Sequence, residues 1–379
     1  MTVTAPASAP TASAAPTVTV TQSPTRHIDG LLDRTLDIGA SDLHLAAGTH
    51  PWVSFFGETI PMEGMGRVLS GEVLSAILKP MVTAEQWARF GREKRLDFSY
   101  ATDRSRFRGH FAVAGKQPIA VFRTIPNEVP EFDSLGLPEV VKSLIGLESG
   151  LVVFVGVTGS GKSSSMAALI KEVKREFAKK IVTIESPIEY RHVSDKSLIV
   201  QREVGDDVDT FALGVEDAMR EAPDIIVIGE MRDPATMQAA ISAASSGHLV
   251  LTTIHASSSA DVPTRILDSM PGERLADVRA QLSRTLQAAV YQKLLPVVGG
   301  SGRALAAEVL VANDAVRNAI RTNNLESITD QLRNQGSGSI PFEVSLARLF
   351  ADRKINESVA RRAEIRPGSF DQQKGNTWR

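Results

Sequence analysis

The chain has 379 residues, 42% hydrophobic and 23% charged, a balance that suits a globular protein of two or three domains. Its formal net charge of −2 leaves no basic footprint for tight nucleic-acid binding. The lack of cysteine excludes disulfides, thiol catalysis and thiolate zinc sites, and no stretch approaches the ~20 consecutive apolar residues of a membrane span.

Residues 1–25 are almost entirely Ala, Ser, Thr, Pro and Val. They lack the basic start and apolar core of a signal peptide, and with so little bulky apolar surface they are expected to form a disordered tail. From His27 to Ile38 the residues Ile28, Leu31, Leu32, Thr35 and Leu36 share one helical face. Strand-like runs follow at Asp42–Leu45, Trp52–Phe56, Leu96–Tyr100, Arg106–Val113 and Ile119–Arg123, with helical segments at Gly71–Lys79 and Thr83–Gly91 between them. This pattern predicts a small α+β domain over residues 26–125. Residues 126–138, with three prolines and three acidic residues, read as a linker.

The pattern then changes. Leu151–Val155, Lys180–Ile184, Ile225–Ile228 and Leu249–Ile254 are continuous apolar runs, as in strands buried on both faces of a parallel sheet. Helical periodicity separates them, for example at Ser163–Phe177 and Pro234–Ser245, which predicts a doubly wound α/β domain over residues 139–300. Residues 301–366 carry helical patterns at Asp314–Thr322, Ser327–Gln335 and Phe342–Asp352 and are expected to form a helical C-terminal region. The polar stretch 367–379 is expected to fray.

Gly156-Val157-Thr158-Gly159-Ser160-Gly161-Lys162-Ser163 satisfies G-x-x-x-x-G-K-[ST] at every defined position, after a buried strand and before a helix. The glycines allow backbone N–H groups to turn inward around phosphates, and the helix adds its N-terminal dipole. Lys162 should reach the β and γ phosphates of ATP and the Ser163 hydroxyl should ligate Mg²⁺. The nucleotide-binding set is Gly156, Thr158, Gly159, Ser160, Gly161, Lys162, Ser163 and Ser164.

Hydrolysis also needs a group to orient or deprotonate water. Glu189 and Glu230 both follow apolar strands, where ligands of open α/β sheets collect. The segment Asp224–Glu230 is like a Walker B strand, but Gly229 stands where a generic ATPase has its Mg²⁺-binding aspartate. Either glutamate alone reads equally well as a solvated loop charge; the P-loop favours the catalytic reading. His248 and His255 flank the run Leu249–Ile254. On one extended strand they would stand ~20 Å apart, too far to share a metal ion. They cap a buried strand, or one or both sense the phosphate end or couple it to a neighbouring subunit.

These boxes resemble, in order, those of the secretion ATPases of the RecA-like superfamily, and among them the type IV pilus retraction (twitching-motility) ATPases. The carriers are Gly156–Ser163, Ile184-Glu185-Ser186-Pro187-Ile188-Glu189-Tyr190, Asp224–Asp233, and Gly247-His248 through Thr253-Ile254-His255. Gln201-Arg202-Glu203-Val204-Gly205, Ala40-Ser41-Asp42-Leu43-His44 and Val121–Pro126 add to the likeness, and Ala315–Arg321 resembles a helical motif that retraction enzymes need for motor output.

The resemblance implies a PAS-like N-terminal domain before the RecA-like domain. It makes Glu189 the general base, Glu230 a support for Mg²⁺ and the γ-phosphate, and His248 and His255 part of the intersubunit coupling apparatus. Arg106, Arg108 and Arg123 become arginine-finger candidates. It further implies a homo-hexamer in the cytoplasm, peripheral at the inner-membrane base of the pilus, acting on a membrane platform protein and sharing the work with a possible paralogous motor. Where the family usually reads Glu-Asp-Pro this chain has Ser186, which removes a charge near the site. Two other readings are an assembly or type II secretion motor and an accessory ring subunit of low activity. The assembly relatives usually carry an extra N-terminal domain and a four-cysteine zinc element, for which this chain has neither the length nor the cysteines.

Overall fold

The computed structural model describes residues 24–55, 58–62, 69–125, 128–300, 302–334 and 337–374. The expected N-terminal tail up to residue 23, Phe56, Pro126, Asn127, Gln335 and residues 375–379 lie outside them. Contacts divide the chain into two compact units that meet between Thr124 and Ile125.

The first unit is a sheet covered by helices. Its strands are β1 (Asp42–Ala46), β2 (Trp52–Phe55), β3 (Glu58–Pro61), β4 (Arg95–Ala101), β5 (Arg106–Ala114) and β6 (Gln117–Ile125), in the order β3-β2-β1-β6-β5-β4. Pairing of β1 with β2 and β6, of β2 with β3, and of β4 with β5 is antiparallel. Alternation sets the faces: Phe107 and Phe111 of β5 and Phe122 of β6 are fully buried, whereas Arg106, Arg108 and His110 occupy the other face of β5. Helices Pro24–Asp37, Gly71–Leu78 and Ala84–Glu93 bury Ile28, Leu31, Leu32, Leu74, Leu78 and Phe90 in the same core. The third helix begins at a capping box in which Thr83 and Gln86 each bond the other's backbone N–H. Strand β3 has no counterpart among the runs read from the sequence; its burial is slight throughout, so it carries no alternation.

The second unit is an α/β sandwich. Strands β7 (Gly150–Val155), β8 (Lys180–Glu185), β9 (Leu198–Glu203), β10 (Ile225–Ile228), β11 (Leu249–Ile254), β12 (Leu286–Pro296) and β13 (Arg303–Val311) lie in the order β13-β12-β7-β11-β10-β8-β9. All pairings are parallel except that of β12 with β13. Every residue of β7, β10 and β11 is buried, as their unbroken apolar runs require. One face packs on helix Lys162–Glu176 and on Phe132, Val141 and Leu144; the other packs on helices Phe211–Ala218, Pro234–Ser245, Leu275–Thr285 and Asp314–Arg321.

Three expectations need correction. The region after residue 300 opens with a strand, β13, paired along its whole length with β12; its alanine-rich sequence carries little β-branched signal, and tertiary pairing overrides it. The segment read as a linker folds into the second unit: Phe132 is 2% exposed and opens a short helix, Phe132–Leu135. The C-terminal stretch read as frayed holds the helix Ser369–Gln373, whose Phe370 is fully buried beside Phe342 and Leu346.

Candidate active site

The P-loop leaves β7 after Val155 and ends in the first turn of helix Lys162–Glu176. Gly156 has φ of 145°, and a Cβ there would lie 2.6 Å from both the Gln292 carbonyl oxygen and Ser160 Oγ, so only glycine fits. Gly161 caps the helix in the left-handed conformation at φ 93°, which leaves the first amides of the helix turned toward the loop. Inside this turn the Lys162 ammonium donates to the carbonyls of Gly156 at 2.9 Å and Val157 at 3.0 Å. Burial lowers its pKa, while the charges of Glu230 and Glu189 pull it back up. The loop therefore holds a largely buried lysine on which the charges of two carboxylates act.

The floor of the site is fixed from below. Gln292 of β12, 1% exposed, donates from Nε2 to Ser165 Oγ at 2.7 Å and so ties the P-loop helix to the sheet. Ser164 Oγ shares a 2.8 Å hydrogen bond with the Tyr190 hydroxyl, which joins the same helix to the segment that carries Glu189. Gln292 was not among the residues named from the sequence, and Tyr190 was named only as the end of the box Ile184–Tyr190, with no role of its own. The one signal for Gln292 is a polar side chain at an inward position of the apolar run Leu286–Leu295.

The two acidic segments are stitched together across the strand ends. Gly229 N–H donates to the Ile184 carbonyl at 2.8 Å, Met231 N–H to the Thr253 carbonyl at 2.9 Å, and Thr253 Oγ1 to the Gly229 carbonyl at 2.7 Å. A Cβ at Gly229 would stand 3.4 Å from Glu185 Cα and the Ile184 carbonyl, so this position faces β8, and Glu230 is the acid that interacts with Lys162. Glu230 also pairs with Arg232 at 2.6 Å. Glu185 plays a different part. Its carboxylate accepts from Thr183 Oγ1 at 2.7 Å, Gln201 Nε2 at 3.1 Å and Glu189 N–H at 3.4 Å, and burial raises its pKa. These bonds anchor the turn whose next glutamate, Glu189, interacts with Lys162.

Lys162, Glu189 and Glu230 are thus brought together, while the histidines are separated. Ile254 pairs with Val155, so His255 leaves β11 level with Gly156. His248 stands at the opposite end of β11, where its carbonyl accepts Gly150 N–H and its Nδ1 lies 3.1 Å from both the Ala243 carbonyl and Ser246 Oγ. At ~3.3 Å per residue, the seven steps from His248 to His255 along β11 put roughly 23 Å between the two histidines. Of the two, only His255 is at the phosphate end. The arginine candidates belong to the first unit: Arg106 and Arg108 lie on one face of β5, with Arg108 3.8 Å from Asp97, and exposed Arg123 pairs with Asp42 at 2.8 Å.

The residues present fit a nucleoside phosphate with Mg²⁺. The Gly156 turn has no room for a Cβ, the buried Ser160 Oγ has no hydrogen-bond partner among the described residues, and Lys162 is a desolvated cation at a helix N-terminus. Ser163 and Glu230 carry oxygen atoms of the hard type that Mg²⁺ prefers, and would be the ones to hold it. Fold and site together define a P-loop nucleotide-binding protein.

The model of the type II/IV secretion system protein family matches residues 23–348, and the chain belongs to that family of secretion ATPases. It is 36% identical to the type IV pilus retraction ATPase PilT of Pseudomonas aeruginosa, over 88% of this chain and 96% of that one. It is 38% identical to a twitching motility protein of Neisseria gonorrhoeae, over 78% of this chain and 79% of that one. Its fold is similar to that of the pilus retraction motor PilT solved with bound ADP, at a TM-score of 0.81 and 34% identity, over 90% of this chain and 98% of that one. Among the described residues no helix is long and apolar enough to cross a membrane.

Proposed function

We propose that this chain is a homo-hexameric motor that hydrolyses ATP to retract type IV pili. The observation that carries the reading is a P-loop lysine flanked by two carboxylates, in a chain similar to PilT over nearly all of both lengths. Lys162 and the P-loop amides hold the β and γ phosphates, and Thr158, Ser160 and Ser164 complete the cradle. Ser163 and Glu230 would hold Mg²⁺, which when bound would neutralise phosphate charge. Glu189, fixed by the anchored Glu185, takes the proton of the attacking water.

Arg106, Arg108 and Arg123 of the first unit answer the γ-phosphate on closure, in their own subunit or a neighbour. His255 reads the phosphate end for the adjoining subunit. His248 holds the turn between helix Pro234–Ser245 and β11 and acts only through that element. The ring works at the inner-membrane base of the pilus against a platform protein, alone or with a paralogous motor.

Steady-state turnover of the purified chain tests the assignment. Glu189→Ala should lose roughly 10²–10⁴-fold in kcat and keep nucleotide binding. Lys162→Ala should lose both. Wild-type turnover in either variant would refute the site.

A further inference from the structure

Outside the phosphate site, the second unit buries a carboxylate that ATP chemistry does not use. Glu308 lies on β13, 3% exposed, opposite Tyr291 of β12. Its Oε1 accepts two hydrogen bonds from one residue, the Ser259 backbone N–H at 2.8 Å and the Ser259 hydroxyl at 2.7 Å. The backbone N–H of Phe342 lies near enough to the same carboxylate to favour its charged form. Burial and the charge of Glu343 push the carboxyl up, against the pull of these bonds. An apolar side chain would pack as well at less desolvation cost, so the value of the carboxylate lies in what it joins.

It joins three segments. Ser259, fully buried, sits in the loop between β11 and helix Val262–Asp268, four positions after His255. That loop starts level with Gly156. Phe342 opens helix Phe342–Ala351, whose N-cap, Pro341, has no side-chain cap, and the ring of Phe342 meets Tyr291 at 5.3 Å. A carboxylate at this helix start supplies the missing cap and favours the dipole. Next to Tyr291 on β12, Gln292 holds Ser165 on the other face of the sheet. One hairpin therefore grips the P-loop helix on one face and the histidine loop on the other.

We propose that Glu308 is a positioning residue, a carboxylate clip that fixes the loop carrying His255 beside the P-loop and ties it to the C-terminal helices at Phe342. Through this clip, movement at the phosphate end and movement of the C-terminal helices are one event. The clip rests on the ATPase reading only for its effect on turnover.

The test uses the full-length chain with Glu308→Ala, Glu308→Gln and Ser259→Ala, reading amide hydrogen exchange over residues 255–261 and 340–346 together with kcat and KM for ATP. Glu308→Ala should speed exchange in both segments by about tenfold or more, since it leaves buried donors without their acceptor. It should lower kcat by a similar factor with KM within about twofold, and Glu308→Gln, which still accepts, should recover much of both. Ser259→Ala removes one hydroxyl and should give a smaller loss of the same kind, about threefold, in exchange over 255–261 and in kcat; it carries the test if Glu308→Ala does not fold. Unchanged exchange over 255–261, or wild-type kcat in a variant whose loop has loosened, would overturn the clip. Because exchange is read without turnover, an inactive wild-type chain would count against the ATPase assignment and not against the clip.

Discussion

Gly156 is where the demands on a single residue are greatest. Its φ of 145° and the 2.6 Å approach of a would-be Cβ to Gln292 O and Ser160 Oγ act together. Gly156→Ala should cost about 1–3 kcal/mol in backbone strain, before counting the clash, and should abolish nucleotide binding. A melting curve and titration with a fluorescent ADP read both effects. Gln292→Leu keeps the volume but leaves Ser165 Oγ buried without its donor, a penalty of about 1–3 kcal/mol borne by the first turn of the P-loop helix. The same titration should show ADP affinity weakened several-fold. Ser186 is half-buried between anchored Glu185 and Glu189, and the acids that act on Lys162 are Glu230 and Glu189.

Among elements, the β8–β9 connection shows how burial sets a pH response. Burial, and next the Lys174 charge, push the His192 imidazole from 6.5 down to about 4. Between those values the unfolded chain holds a proton that the folded chain releases. Stability from keeping His192 neutral is therefore complete above pH 6.5 and is lost as pH falls toward about 4. The melting midpoint of the wild type relative to His192→Gln should be flat above pH 6.5 and should decline below it; a flat difference throughout would refute this.

The central strands and the P-loop helix were legible because their residues are buried on both faces and so form unbroken apolar runs. That Glu189 and Glu230 would act on Lys162 was legible because motif spacing and strand ends point all three to one end of the sheet. The edges were not. Strands β3, β9 and β13 owe their form to a neighbour's hydrogen bonds, and Phe370 owes its helix to a pocket built by residues far away in sequence. Gln292 and Glu308 were out of reach for the same reason: a polar residue in an apolar run acquires meaning only when its partner, 127 or 49 positions away, is known.

The whole molecule joins two units of different chemistry. The second holds the P-loop with Lys162, Glu189 and Glu230, and the β12–β13 hairpin; the first carries Arg106, Arg108 and Arg123. If the arginines close on nucleotide, Arg123→Ala should lower kcat by about tenfold or more while ADP binding to the second unit persists. Equal loss of binding and turnover would argue for a structural role through Asp42 instead. The most direct test of the central claim is made in cells: pilus number and surface motility in a strain whose only copy carries Lys162→Ala. A retraction motor disabled at its phosphate grip should leave hyperpiliated, immobile cells. Bald cells would mean that the motor builds pili, and normal twitching would mean that ATP held at Lys162 does not drive retraction at all.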